Sequence, residues 1–588
     1  MKDFDAKYGN WPRRLLHVPT LTSHEWRPGH RYGGHERPAY NTLSYTWGRY
    51  ALKEGEQPAV KALPIRIEGR RTWKIPRINP AHFSVEEFHA AVKLATAAFS
   101  PLDLDNRWIE RRHMDPELVV DFLWLDVACI DQEHAKTKLA EINRQAAIFQ
   151  NSRTSCVWLG HLGHDQLLEI QDFCRERGWS QLPVNNKTNK EQQHLEWVQQ
   201  RLSRVQEIVE LVLLNKQESD DKDAARTMAP WFSSLWTLQE AYLRPHSCLL
   251  PRDCLDMLDG PAAGSSQRML TLRDLNMALL PAVALCNECV ALDVGPRDRL
   301  RAIADKVHEA GLRELYSKSP FAIFAASSRR EAWDPCDRVY GIMQIFGIQL
   351  PLRRRGDGKS CTPAELRQML SEKLLLAYPV ETQLFVHTEP PRDPMSKWRI
   401  GSSAALPRWA NDLVGPARSS ERVHWERPHP ARPLPLCRFS VTHGSAYFQG
   451  RLCALNDLLV SFETFDAVRP LDHETASERV EESMGNVDVT FDMIPSTLPG
   501  GSRLQIPGIT GFLFADINYH YNDIHKILAK MATNSKDTDG GDVQVLLLGS
   551  CLDPLLASYL KQEGAACEGF GAAWREEHDE CGSRQIVG

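Results

Sequence analysis

Two apolar runs joined by a helical pattern constrain the fold more than any other feature of the sequence. Residues Phe122–Val127 and Ser155–Leu159 are almost continuously apolar, which is typical of strands covered on both faces. The residues between them carry apolar side chains at the spacing of one helix face, namely Leu139, Ile142, Ala146 and Phe149. A strand, a helix and a strand at this separation form a βαβ unit, whose strands are parallel. The sequence therefore predicts an α/β fold built on a parallel sheet flanked by helices.

The length of the chain predicts several domains, because 588 residues exceed what one hydrophobic core normally serves. We assign 11–245 to the α/β domain, in which strand and helix patterns alternate. Residues 246–390 have mostly helical patterns, and 391–435 are rich in Pro, Arg and Ser, which favours a linker. Strand-like runs recur in 436–588 and predict a β-rich C-terminal region.

Composition argues against two classes of partner. The net charge of −6 provides no basic surface for nucleic acid and no polybasic patch for a membrane. No apolar segment follows the first residues, and Asp553 and Pro554 interrupt the apolar stretch 543–560. We therefore expect neither a secretion signal nor a membrane span. The expected location is the cytoplasm, where the 14 cysteines would be thiols.

Polar side chains follow the first of the two apolar runs. Asp126 comes near the end of the run, and Asp131 and Gln132 lie shortly after it. In an open α/β sheet, ligands bind outside the carboxyl ends of the strands, so these three residues are candidates for a ligand crevice. The alternative is structural, with one aspartate capping the following helix and the other accepting hydrogen bonds from loop amides.

A single acidic residue, Glu240, lies in a run rich in tryptophan, with Trp231 and Trp236 nearby. A carboxylate in an apolar wall interacts strongly with developing positive charge. Cleavage of an N-glycosidic bond passes through an oxocarbenium-like state that one carboxylate can stabilise, by analogy with O-glycoside hydrolysis. The alternative is an exposed helical carboxylate beside two packed aromatic rings.

The first strand of the region ends in a segment that contains Ser44, Tyr45, Trp47 and Gly48. Alternation along the strand places Ser44 on one face and Tyr45 and Trp47 on the other. An aromatic ring at a strand end can stack on a nucleobase, so these residues are candidates for substrate binding. Packing around a glycine turn is the alternative.

The sequence predicts no metal site and no bound cofactor. Cys286 and Cys289 have the spacing of metal ligands, but no second pair with that spacing, and no HxxxH pair, accompanies them.

Three segments, in order along the chain, resemble the fungal heterokaryon-incompatibility (HET) domain. They are Leu43–Gly48, Leu123–Gln132 and Pro230–Glu240, which approximate the family patterns LSYxWG, LWIDxxCIDQ and PWFxRxWxxQE. Ser234 stands where the family often has arginine. The segment Asp337–Gly341 also resembles the downstream region of such proteins.

This resemblance implies a role in non-self recognition, in which activation of the domain triggers programmed death of fused fungal cells. A protein partner or self-association is implied with it. HET domains resemble TIR domains remotely, which implies a flavodoxin-like sheet. Some TIR domains hydrolyse NAD with a glutamate in a WxxxE run, a spacing that Trp236 and Glu240 share. This resemblance makes Trp236 a further candidate for substrate binding. Three functions therefore stay open: a death effector, an NAD glycohydrolase with Glu240 as its catalytic residue and NAD as its substrate, and a non-catalytic interaction scaffold.

Overall fold

The structure is a computed structural model, and it divides the chain into two compact units. The first comprises Met1–Tyr316 and Arg329–Ser360, and the second comprises Ser317–Ser328 and Cys361–Gly588. The described residues are 8–69, 72–97, 99–101, 120–175, 191–215, 227–259, 267–291, 297–317, 319–351, 360–387, 399–401, 404–406, 434–435, 438–442, 445–449, 452–454, 488–491, 509–519, 524–535, 544–553 and 586–587. The four-part division made from the sequence stays a prediction.

A seven-stranded sheet forms the centre of the first unit. Its strands, in spatial order, are Cys248–Leu250, Ser155–Trp158, Tyr40–Ser44, Phe122–Trp124, Arg14–His17, Thr22–Glu25 and Arg66–Ile67. The first four strands of this order are mutually parallel. Every residue in these four strands is buried, as expected where helices cover both faces of a sheet. The α/β class is therefore confirmed.

The sheet is mixed, because antiparallel strands extend the parallel part. Strand Arg14–His17 runs antiparallel to both of its neighbours, Phe122–Trp124 and Thr22–Glu25. Only the short 3-10 turn Val18–Thr20 and Leu21 separate Arg14–His17 from Thr22–Glu25. A connection of this length cannot cross over the sheet, so the two strands pair as a hairpin.

The helices of the first unit, within the described ranges, vary from one turn to more than six turns. They are Val85–Leu94, Asp126–Cys129, Ala135–Ile142, Gln145–Asn151, His164–Arg175, Glu191–Leu213, Pro230–Ser233, Leu235–Leu243, Cys254–Asp259, Leu272–Ala291, Arg297–Glu309, Leu312–Ser317 and Asp337–Tyr340. Shorter elements are the 3-10 turns Gly48–Tyr50 and Met343–Phe346 and the paired strands Arg31–Tyr32 with His35–Glu36 and Phe99–Pro101 with Gln267–Met269.

Local sequence sets where these helices begin. Ser84 and Glu87 form a reciprocal cap at the start of Val85–Leu94: the Ser84 hydroxyl accepts from the Glu87 amide at 3.1 Å, and the Glu87 carboxylate accepts from the Ser84 amide at 2.6 Å. Pro230 is the first residue of Pro230–Ser233, where a missing N–H costs nothing. Ser234 is extended, so the chain turns there before Leu235–Leu243 begins.

The second unit contains helices followed by strands. Its described elements are the helices Pro320–Ser327, Pro363–Ala377 and Pro379–Gln383 and the strands Val386–His387, Ala404–Ala405, Leu434–Pro435, Arg438–Thr442, Ser445–Gln449, Leu452–Ala454, Asp488–Phe491, Ile509–Tyr519, Ile524–Ser535, Gln544–Asp553 and Ile586–Val587. The last nine strands belong to one sheet. Most of the proposed linker 391–435 lies outside the described residues. None of the helices described in either unit combines the length and apolarity needed to cross a bilayer.

Candidate functional site

The ends of two parallel strands bring the first site residues together. Strand Tyr40–Ser44 pairs with Phe122–Trp124, so Ser44 and Asp126 lie at the same edge of the sheet. Glu240 reaches this edge from helix Leu235–Leu243: the Ser44 hydroxyl donates to the Glu240 carboxyl over 2.5 Å. Residues 196 positions apart in the sequence are thus in direct contact.

Both carboxyl oxygens of Glu240 have hydrogen-bond partners. Oε2 binds the Ser44 hydroxyl, and Oε1 accepts from the Gln145 side-chain amide at 2.8 Å. Trp231 Nε1 donates to the Ser44 hydroxyl at 2.8 Å. This hydrogen bond helps to orient the hydroxyl, which donates to Glu240. Ser44 and Trp231 are buried, whereas Glu240 keeps a small exposed fraction. The carboxyl of Glu240 is therefore held by polar side chains that are themselves buried.

This environment changes the acidity of Glu240. Burial raises its pKa to about 8, from an ordinary value of 4.5. The hydrogen bond from Ser44 opposes this rise, the neighbouring Asp126 adds to it, and the hydrogen bond from Gln145 opposes it. Near neutral pH, Glu240 is therefore mostly protonated.

Asp126 lies in a second, adjoining set of contacts. Its Oδ2 accepts from Trp47 Nε1 at 2.5 Å, and its Oδ1 accepts from the Val127 amide at 2.7 Å. Burial raises the pKa of Asp126, and these two hydrogen bonds limit the rise. Tyr45 is buried, and burial followed by the charge of Asp126 raises the pKa of its hydroxyl, which stays neutral. The indole N–H of Trp47 thus serves Asp126, and stacking of its ring on a base stays a prediction.

Asp131 does not join the contacts around Glu240. Its Oδ1 accepts from the amides of Glu133 and His134 at 3.2 and 3.1 Å and from His134 Nδ1 at 3.0 Å. Burial raises the pKa of Asp131, but the hydrogen bonds from His134 and the loop amides outweigh it and leave the pKa lowered. Gln132 donates to the Asp126 carbonyl at 3.2 Å. Asp131 therefore accepts hydrogen bonds from loop amides, and Gln132 restrains the backbone of Asp126.

Trp236 and Gly48 also lie away from the carboxyl of Glu240. Trp236 Nε1 donates to Asp337 Oδ2 at 3.2 Å, so its polar group faces the downstream segment. Gly48 is exposed, with no atom within 4 Å of the position that a Cβ would take. Packing does not require glycine there.

The sequence did not indicate a role for Gln145 or Gln344, and it indicated only that Trp231 lies near Glu240. Gln145 binds Glu240 directly, Gln344 contacts the helix that carries Gln145, and Trp231 fixes Ser44. Gln145 and Gln344 are both buried, yet nothing in the local pattern distinguishes them from surface glutamines. The turn at Ser234 also receives a guanidinium, since Arg330 donates to the Ser234 carbonyl at 3.3 Å.

A cleft of about 300 Å³ lies elsewhere in the first unit. It is lined by Glu25, Trp26, Arg27, Gly33, Glu68 and Gly69. Its acidic groups are already paired: Glu25 bonds to Arg13, and Glu68 bonds to His24. We therefore place the candidate site at Glu240 rather than in this cleft. Within the described residues, no group of three or more His, Cys, Asp or Glu side chains is arranged to hold a metal ion.

Comparison with known proteins identifies the class. The family model described as "Heterokaryon incompatibility protein (HET)" matches residues 40–240, a range that includes Ser44, Asp126, Gln145 and Glu240. Residues 40–240 of the chain therefore match a HET domain.

One curated relative is "Heterokaryon incompatibility protein 6, OR allele" of Neurospora crassa, which is 25% identical over 217 residues. The match covers 34% of this chain and 27% of that relative. The chain thus spans little more than a quarter of the length of this relative. No solved structure matches the chain.

Proposed function

We propose that this chain is a non-self recognition protein of a filamentous fungus and that activation of its HET domain triggers programmed cell death. The family match over 40–240 carries this proposal, and the name of the Neurospora relative supports it. Activation would depend on a protein partner or on self-association, and the protein would act in the cytoplasm.

Induced expression of the full chain in a filamentous fungus tests this proposal. We expect growth arrest and dye uptake with the wild type, and their loss in Glu240→Gln. Glu86→Gln is the matched control, because it makes the same chemical change at an exposed residue of helix Val85–Leu94. Normal viability at high levels of the wild-type protein would contradict the proposal, and equal toxicity of Glu240→Gln would exclude a role of Glu240 in cell death.

A second candidate function is cleavage of the nicotinamide–ribose bond of NAD. The observation that favours it is the carboxyl of Glu240, which Ser44 and Gln145 orient at the carboxyl ends of parallel strands. In this reaction the bond between the nicotinamide nitrogen and ribose C1′ breaks, and nicotinamide leaves with the electron pair. The ionised Glu240 stabilises the ribosyl cation until water adds to C1′ and loses a proton.

This chemistry has a defined pH dependence. Only the carboxylate form of Glu240 can stabilise a cation, and its pKa is about 8. The rate of nicotinamide release should therefore rise as the pH rises through about 8.

The assay incubates concentrated, purified full-length protein with NAD and measures free nicotinamide by chromatography. Glu240→Gln should abolish release, whereas Glu86→Gln should not. Turnover that persists in Glu240→Gln, or a rate that falls steadily as the pH rises from 6 to 8, would exclude the assigned role.

A further inference from the structure

The side chain of Gln344 bridges the gap between helices Ala135–Ile142 and Gln145–Asn151. Helix Ala135–Ile142 ends before Gln145–Asn151 begins, so the amide of Ala146 does not reach the carbonyl of Ile142 as it would in a continuous helix. The side-chain amide of Gln344 fills this gap. Its oxygen accepts from the Ala146 amide at 2.8 Å, and its nitrogen donates to the Ile142 carbonyl. The direction in which the second helix starts is therefore set by Gln344.

The residues that precede Gln344 contact helix Leu235–Leu243, which carries Glu240, and the turn before that helix. The Arg330 guanidinium is buried and donates to the carbonyls of Trp231 at 3.1 Å and Ser234 at 3.3 Å. The backbone of Glu331 makes two hydrogen bonds to the same region. Its carbonyl accepts from the Leu235 amide at 3.0 Å, and its amide donates to the Ser233 carbonyl at 2.7 Å.

Asp337 and Gly341 continue this contact. Asp337 accepts from Trp236, and Gly341 lies so close to Leu235 that a Cβ would be 3.2 Å from the leucine side chain. One segment, 330–344, therefore contacts both helices whose side chains meet at Glu240. It lies beyond residues 40–240, which the family model matches.

We infer that segment 330–344 is part of the Glu240 site and that Gln344 is a positioning residue, acting through Gln145 on the Glu240 carboxyl. This inference rests on the site assigned above, but it does not depend on which reaction occurs there. Without Gln344, the first turn of Gln145–Asn151 loses a partner at its amide end, and the Gln145 side chain no longer holds its place on Glu240.

The test follows the ionisation of Glu240 in the full-length protein, independently of activity. Because folded Glu240 holds a proton that the unfolded chain releases, the Tm difference between a protein and its Glu240→Gln partner varies with pH and levels off near the folded pKa. We would measure this difference for the wild type, Gln344→Ala and Gln145→Ala. The matched control is Gln349→Ala, because Gln349 is an exposed glutamine of the same region. Asp126 and Tyr45 also face Glu240, and both are present in every pair.

The hydrogen bond from Gln145 lowers the pKa of Glu240, so its loss should raise that pKa. We expect the pH at which the Tm difference levels off, here called the levelling point, to rise by about one unit in both Gln344→Ala and Gln145→Ala. In Gln349→Ala this pH should not change. The double variant Gln145→Ala/Gln344→Ala should show no larger shift than either single variant, because both act on one hydrogen bond.

A lower Tm in Gln344→Ala with an unchanged levelling point would overturn the inference and leave a purely structural role. A shift in Gln145→Ala alone would overturn it as well. If Gln344→Ala does not fold, Gln344→Met takes its place, because it keeps the length of the side chain while removing both hydrogen bonds. Absence of NAD cleavage or of cell death would leave these titrations unaffected, so failure of the proposed function is distinguishable from failure of this inference.

Discussion

Replacement of Glu240 by glutamine should make the stability of the HET domain less dependent on pH. The folded protein holds a proton on Glu240 up to about pH 8, whereas an unfolded glutamate loses it near 4.5. Between these values the folded state binds the extra proton, so the stability of the wild type falls as the pH rises. The contribution is fully present below the unfolded pKa and is lost as the pH passes through the folded pKa. Glutamine does not titrate, so the variant lacks this loss.

The size of the effect follows from the two pKa values. Each pH unit between them changes the free energy of unfolding by about 1.4 kcal/mol. From about pH 5.5 to about pH 7 the wild type should lose on the order of 2 kcal/mol relative to Glu240→Gln. For a domain of this size, that difference corresponds to a change in Tm of roughly 4 °C.

Scanning fluorimetry of both proteins across this pH range measures the difference directly. Glu86→Gln, which removes an exposed carboxylate, should follow the wild type at every pH. If the wild-type Tm minus the Glu240→Gln Tm stays constant or increases as the pH rises, the folded protein does not retain a proton on Glu240, and the reasoning is refuted.

Three further predictions concern the groups around Glu240. Arg330→Ala should lower the free energy of unfolding by about 3 kcal/mol in urea melts, because it leaves buried carbonyls without a donor; a loss under about 1 kcal/mol would contradict the contacts assigned to it. Trp47→Phe should cost about 1–2 kcal/mol and raise the pKa of Asp126, because the indole N–H holds that pKa down; stability and a titration equal to the wild type would count against the contact. Gly341→Ala should lower the free energy of unfolding by about 1–3 kcal/mol, because its Cβ would meet a backbone oxygen at 3.0 Å. Gly48→Ala should leave the Tm unchanged in the same thermal melts, and equal effects of the two variants would contradict the packing at Gly341.

The sequence predicted the strands whose own residues form a continuous apolar run. The apolar runs Phe122–Val127 and Ser155–Leu159 identified two of the buried parallel strands, because a strand covered on both faces has few polar residues. The hairpin at Arg14–His17 was missed. Its two leucines are too few to show a strand period, and its first residue is a buried arginine.

For the candidate site, the sequence indicated polar residues at strand ends and one acidic residue in a run rich in tryptophan. Ser44, Asp126 and Glu240 were all named, and the structure brings them to one edge of the sheet. Gln145 and Gln344 could not be predicted, because a glutamine gains its role from a distant partner: Gln344 and Ala146 are 198 residues apart. Asp131 has the same residue type and a similar place as Asp126, but the turn that follows it uses its oxygen.

The separation along the chain between Ser44, Gln145, Glu240 and Gln344 has a consequence for synthesis. A ribosome makes the chain from the N-terminus, and domains fold as their residues emerge. Strands, helices and the Ser44–Glu240 contact can form once residue 240 is free, but the amide bridge at the helix break must wait another hundred residues or so for Gln344. A nascent or prematurely terminated product would therefore lack the bridge that Gln344 makes between the two helices.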